Sequence, residues 1–144
     1  YFVPDPPVFE ALQLAALRGV DVRILLPAQP DHKLVYLASF SFLDAADRTG
    51  IQLYRYQDGF LHQKVVLVDD EVAAVGTANL DNRSLRLNFE VMAVGVDRMF
   101  AGQVESMLER DFQQARRTSA ADLRDRSGFF QWAVRAARLF DPIL

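Results

Sequence analysis

The sequence contains no cysteine. That excludes disulfides, thiolate metal ligands and cysteine nucleophiles, and it fits a reducing compartment. No apolar run is long enough to cross a bilayer, and no secretory signal stands at the start. A basic excess is also missing: 16 Lys and Arg face 19 Asp and Glu, for a formal charge of −3. A dedicated nucleic-acid binder carries the opposite bias, so no nucleic-acid partner is expected, although a local basic patch is compatible with this balance. There is no initiating Met, and the opening "YFVP" reads as the end of a strand already under way. The expectation is a fragment of a longer protein. What the chain does have is 144 residues, 51% of them apolar, with eleven Phe, four Tyr and one Trp. That is enough to bury the core of one ordinary domain.

Helix and strand signals alternate along the chain. "DPPVFEALQLAALRG" predicts a helix, with Asp5 able to cap it, prolines in the first turn and Gly19 closing it. "VDVRILLP" predicts a strand stopped by Pro27. "DHKLVYLASFSFLDAADRTG" predicts one helix ending at Gly50, and "IQLYRY" a second strand. "LHQKVVLVD", "VAAVGT" and "FEVMAVGV" predict three more strands, the first two joined by a turn at Asp70 and Glu71. "RMFAGQVESMLERDFQQARR" predicts a long helix with Phe100, Val104, Leu108 and Phe112 at helical spacing. The tail predicts two short helices. The fold class expected is α/β: a mixed, partly parallel sheet with helices on both faces, followed by C-terminal helices. The whole of 1–144 reads as one domain.

The chemistry concentrates in residues 60–84, "FLHQKVVLVDDEVAAVGTANLDNRS". On a strand, His62 and Lys64 share a face. Asp69 points the other way, about 17 Å along from Lys64, and suits a structural role at the strand end. Gly76 lets the backbone turn or approach a ligand. Lys64, Thr77 and Asn79 make a donor set for an anion such as phosphate. His62 beside them can attack phosphorus or protonate a leaving oxygen. Glu90, in an apolar segment, is the candidate to hold the other ring nitrogen. Each residue alone has an ordinary explanation: a hydrogen-bonding His at a strand end, a solvated Lys, a capping loop at Asp81, Asn82 and Arg83. "DDE" reads as an acidic turn rather than a metal site, because His32 and His62 lie thirty residues apart. His32 itself reads as a solvated or capping residue. The combination shifts the balance toward a phosphoryl site.

"HQKVVLVDDEVAAVGTAN" resembles the HxKxxxxDxxxxxxGSxN signature of the phospholipase D superfamily, the HKD motif. His62, Lys64, Asp69, Gly76 and Asn79 match in spacing, with Thr77 where Ser is usual, and Glu90 lies where the family places a carboxylate supporting the histidine. "ALRGVDVRILLP", "ANLDNRSLRLNFEV" and "ARLFDPIL" extend the similarity to the C-terminal half of bacterial cardiolipin synthases. The resemblance implies catalytic His62, Lys64, Asp69, Asn79 and Glu90, substrate contacts from Lys64, Thr77, Asn79 and Arg83, a phosphohistidine intermediate, and neither metal nor other cofactor. It implies two HKD motifs about a pseudo-twofold axis. This chain holds one, so the other is expected upstream in the same protein or in a homodimer partner. By the same analogy His62 is the acid/base and the other histidine the nucleophile.

Two activities follow. One is transfer of a phosphatidyl group between phosphatidylglycerol molecules, giving cardiolipin and glycerol at the cytoplasmic side of a bacterial inner membrane. The other is a phospholipase D, or a single-motif phosphodiesterase or nuclease working as a homodimer. A vestigial scaffold is a third reading, against which the intact His, Lys and Asn argue. The tail "GFFQWAVRAARLF" pairs aromatics with arginines, a composition suited to a lipid interface or to packing against protein.

Overall fold

The computed structural model describes residues 1–29 and 31–143, with the side chains of 141–143 excepted. The first strand, β1 (Phe2–Val3), leads into helix α1 (Pro6–Leu17). Asp5 caps α1 by accepting from the Val8 amide at 3.1 Å, and the two prolines occupy its first turn, where their missing N–H costs nothing. Gly19 then leaves the helix at φ +94°.

Strand β2 (Arg23–Pro27) runs parallel to β3 (Gln52–Tyr56), with Ile24 opposite Leu53. The crossover between them holds α2 (Lys33–Ser39), a 3₁₀ turn (Phe40–Phe42) and α3 (Leu43–Thr49). The sequence predicts one helix here. Ser39 and Ser41 bond back to the carbonyls of Tyr36 and Ala38, each at 2.7 Å, and such back-bonding bends a helix. Helices flank this sheet on both faces: Leu53 packs with Leu43 and Ala46 of α3, while Tyr54 meets Phe112 edge-on at 5.0 Å. Phe112 belongs to α4 (Arg98–Gln113).

A second group, β4 (Val65–Val68), β5 (Val72–Gly76) and β7 (Met92–Val96), is antiparallel throughout. Helix α4 covers one face, where Ala73, Ala101 and Val104 are buried together. The other face presents Val66, Val68, Val94 and Val96, exposed by 46 to 78%. Helices thus lie on both faces at β2–β3 and on one face at β4–β5–β7. The third group is a short parallel pair, β1 with β6 (Leu80–Asp81). The expected mixed sheet is therefore present as three hydrogen-bonded groups among the described residues.

Strand β8 (Ala115–Thr118) pairs antiparallel with β3. The sequence reads these residues as the end of a long helix, because Gln, Ala and Arg favour helix. The free edge of β3 overrides that preference. The tail forms α5 (Ala120–Arg124) and α6 (Gly128–Ala137), and a 3₁₀ segment follows. Phe130 of α6 anchors on Phe40, with ring centroids 5.2 Å apart.

Candidate active site

The site grows from the end of β5. The Gly76 amide donates to the Lys64 carbonyl at 3.1 Å, which extends the β4–β5 pairing by one residue and fixes Lys64 beside the turn. A Cβ at Gly76 would lie 2.0 Å from the Val91 carbonyl oxygen. No other residue fits that backbone approach. Thr77 is then pinned to the neighbouring strand. Its amide donates to the Val91 carbonyl at 2.9 Å, and its hydroxyl accepts from the Val91 amide at 2.9 Å.

Strand β4 begins at Val65, so His62 and Lys64 precede it rather than lie within it. The Lys64 ammonium donates to the His62 carbonyl at 2.9 Å. Burial lowers the Lys64 pKa, against the raising influence of Asp31, Glu90 and Asp81. Three carboxylates thus act on the ammonium electrostatically, while its hydrogen bond goes to a backbone carbonyl. The His62 ring stacks on Phe60, with centroids 5.6 Å apart at 20°, and it lies within electrostatic reach of Asp31. For Asp31, burial pushes upward, but the Tyr1 hydroxyl donating at 2.7 Å and nearby backbone amides bring the net shift down.

Asn79 joins the same group. Its amide nitrogen meets the Ser84 hydroxyl at 3.5 Å, and its oxygen accepts from the Tyr1 nitrogen at 3.2 Å. Ser84 lies in a π-helical turn (Arg83–Leu87), and buried Asp81 caps that turn by accepting the Ser84 amide at 2.7 Å. Glu90 precedes β7. Hydrogen bonds from Thr77 first, then Asn88, hold its carboxyl below the usual range, and Ser84 and the Lys64 charge add to this.

The structure thus brings Lys64, Thr77, Asn79 and Glu90 into one connected polar group, with His62 alongside. Glu90 accepts from Asn88 at 3.1 Å, Thr77 and Ser84 help to lower its pKa, and among the described residues the expected bond to the His62 ring is not made. Asp69 is not brought in. It sits exposed in the turn at the far end of β4, at φ 53°, a position that suits a turn residue. Arg83 is exposed, and its charge reaches the Tyr1 hydroxyl. His32 stands at the N-cap of α2 without a side-chain capping bond.

Asp81 was read as part of a capping loop, and it does cap the Ser84 amide. Two participants went unseen in the sequence, Ser84 and Asp31. Ser84 carried a usable signal, since its amide lies three residues after that acid. Asp31 carried none, because its link to the site crosses thirty residues of chain. Chemically, the group offers a cation, an amide donor and an imidazole to a phosphoryl oxygen set.

Comparison with known proteins agrees with this chemistry. A family model described as "Cardiolipin synthase, PLD-like domain" matches residues 1–112. The chain is 60% identical over its whole length to Cardiolipin synthase A of Pseudomonas entomophila, and 61% to that of Pseudomonas putida. It spans 30% of the length of each. Among solved structures, phosphatidylserine synthase from Haemophilus influenzae superposes with a TM-score of 0.73 at 20% identity, covering 100% of this chain and 40% of that one. Nuc of Salmonella typhimurium, a phospholipase D family member, gives 0.70 at 23% identity, covering 83% and 78%. These two show the fold. The family match extends over most of the chain: it belongs to the cardiolipin synthase family of phospholipase D-like domains.

Proposed function

We propose that this chain is one HKD domain, the second of two, of a phosphatidyltransferase that makes cardiolipin from phosphatidylglycerol. The observation that carries the reading is the gathering of Lys64, Asn79 and Glu90 beside His62 in a chain 60% identical throughout to Cardiolipin synthase A. A histidine of the other motif attacks phosphorus, and the bond to the glycerol oxygen breaks. His62, protonated, gives that oxygen its proton and glycerol leaves. A hydroxyl of a second phosphatidylglycerol then attacks the phosphohistidine, and His62 takes up its proton. Lys64 and Asn79 hold phosphoryl oxygens as charge builds on them. Glu90, held ionised, favours the charged form of the Lys64 ammonium.

The bare valine face of β4–β5–β7 starts at this site and suits contact with the other HKD domain. A lipid substrate also requires a membrane surface, and we place the protein at the cytoplasmic side of a bacterial inner membrane. Among the described residues no helix is long and apolar enough to cross a membrane. Helix α6 offers an interfacial contact instead: Phe129 and Trp132 are exposed and stack 6.3 Å apart, with Arg135 exposed on the same helix and Arg138 just after it.

The test is to supply the full-length protein with phosphatidylglycerol vesicles and identify the products by mass. Cardiolipin with equimolar glycerol is expected, and His62→Ala should abolish both. Phosphatidic acid as the sole lipid product would make the enzyme a hydrolase and refute the transfer.

A further inference from the structure

A cavity of about 190 Å³ lies away from the HKD residues, between β3, β8 and the start of the tail. Its wall includes Arg55, Arg116, Arg126, Thr118, Asp122 and Gln57. Arg55 is 5% exposed and Thr118 2%. Both carry a buried polar atom without a hydrogen-bond partner, Nε of Arg55 and the hydroxyl of Thr118. An orphaned buried donor costs about 1–3 kcal/mol, and more when charged, so two at one cavity call for an explanation.

The charges sharpen the point. Arg55 is clamped between the rings of Tyr36 and Phe40, at 4.8 and 4.4 Å, and donates to Ser39 and to the Pro27 carbonyl. Among the described residues no carboxylate pairs with it. Burial first, then the charges of Arg116 and Arg126, pull its pKa down to about 10, although Tyr36 and Asp122 oppose them. The one acid in the wall, Asp122, is already engaged by Arg116 and by the Ser119 amide. Three guanidiniums thus face one occupied carboxylate. A buried cation without a counter-charge is costly, and an oxyanion would relieve the mutual repulsion while accepting from the orphaned donors.

We propose that this cavity is a second oxyanion site, separate from the HKD group, in which Arg55, Arg116, Arg126 and the Thr118 hydroxyl hold one phosphate-type group. Arg55 and Tyr36 also line a neighbouring cavity that includes Tyr1 and Asp31, and these two reach Asn79 and Lys64 in turn. A transferase that joins two phospholipids must hold a second phosphate, that of the acceptor. The lipid source of the oxyanion rests on the transferase reading, whereas the site itself does not.

The test titrates inorganic phosphate into the 144-residue chain carrying Lys64→Ala, which removes the other anion-holding cation. Thermal midpoints are compared with those in sodium chloride at matched ionic strength. Phosphate should raise the midpoint beyond chloride. Each of Arg116→Gln and Arg126→Gln should lower phosphate affinity about tenfold or more. Arg55 is too buried to substitute safely, so Thr118→Val supplies the inner variant. It should stabilise the phosphate-free chain by removing an orphaned hydroxyl, yet weaken phosphate binding, a pair of opposite signs that a purely structural threonine would not give. A short-chain phosphatidylglycerol, tested the same way, separates the sources: an arginine-dependent shift with it assigns the site to a lipid phosphate, and a shift with inorganic phosphate alone assigns it to free phosphate. No stabilisation beyond chloride, or stabilisation indifferent to the arginine substitutions, would overturn the site. No arm reads turnover, so failure of the transferase reading would leave the result standing.

Discussion

Two sheets of this molecule are built from similar residues and use them differently. In the β2–β3–β8 sheet, Ile24, Leu26 and Leu53 are each no more than 9% exposed, sealed under α3 and its neighbours. In β4–β5–β7, only one face is covered, and Val66, Val68, Val94 and Val96 remain at the surface. Aliphatic strands in the first sheet are consumed by the chain's own core. In the second, one face of them stays exposed, and the polar group of His62, Lys64 and Asn79 stands at the end of those same strands. The first sheet, a stabilising half, is enclosed on both faces, and the second, a presenting half, keeps one face open.

The strongest way to break that division is at the presenting half. His62→Ala in the full-length protein should cut turnover by about 10²–10⁴-fold or more, while the unfolding free energy of the chain changes by less than about 0.5 kcal/mol. A large drop in stability would move His62 into the structural half. Gly76→Ala should be disruptive in both senses, since its Cβ would meet the Val91 carbonyl at 2.0 Å; loss of activity with an unchanged thermal midpoint is not expected.

In the stabilising half, Leu53→Ala removes a side chain that is 2% exposed and should cost about 2–5 kcal/mol in urea unfolding. Asp5 joins the halves, capping α1 and pairing with Arg86 of the π-helical turn. The Arg86 bond above all holds the Asp5 carboxyl below its ordinary 3.8. The folded state therefore binds fewer protons there. The contribution is complete above about pH 4 and is lost as acid titrates through the lower folded pKa. Asn can still cap, so Asp5→Asn isolates the ion pair. With Arg86 largely exposed, the gap to wild type should stay within about 1 kcal/mol and close in acid. The smallest effect belongs to the bare face. Val66→Thr and Val94→Thr keep β-branching and should change the stability of the isolated chain by no more than about 0.5 kcal/mol. In the full-length protein the same pair should lower stability or activity, because a buried hydroxyl without a partner is costly.

Much of this was legible in the sequence, for local reasons. Asp5, the prolines and Gly19 mark α1 because capping depends on immediate neighbours. Gly50 closes α3 in the left-handed conformation, at φ 89°. The residues of the polar group were legible from their spacing. What escaped depends on contacts distant in sequence. Strand β8 exists because β3 offers an edge. The strand at "YFVP" was read, but its two-residue partner β6, nearly eighty residues on, was not, because no periodicity reveals a strand so short. Asp31 reaches Lys64 only through the fold. The local partner of Glu90, Asn88 at 3.1 Å, was not read from the sequence. Nor does hydrophobicity distinguish a valine destined for a core from one left exposed.

The most direct test of a shared active site compares the isolated 144-residue chain, verified as a monomer by light scattering, with the full-length protein on phosphatidylglycerol vesicles. The expected result is cardiolipin and glycerol from the full-length protein and neither from the monomer. Sustained cardiolipin formation by the monomer alone would contradict it.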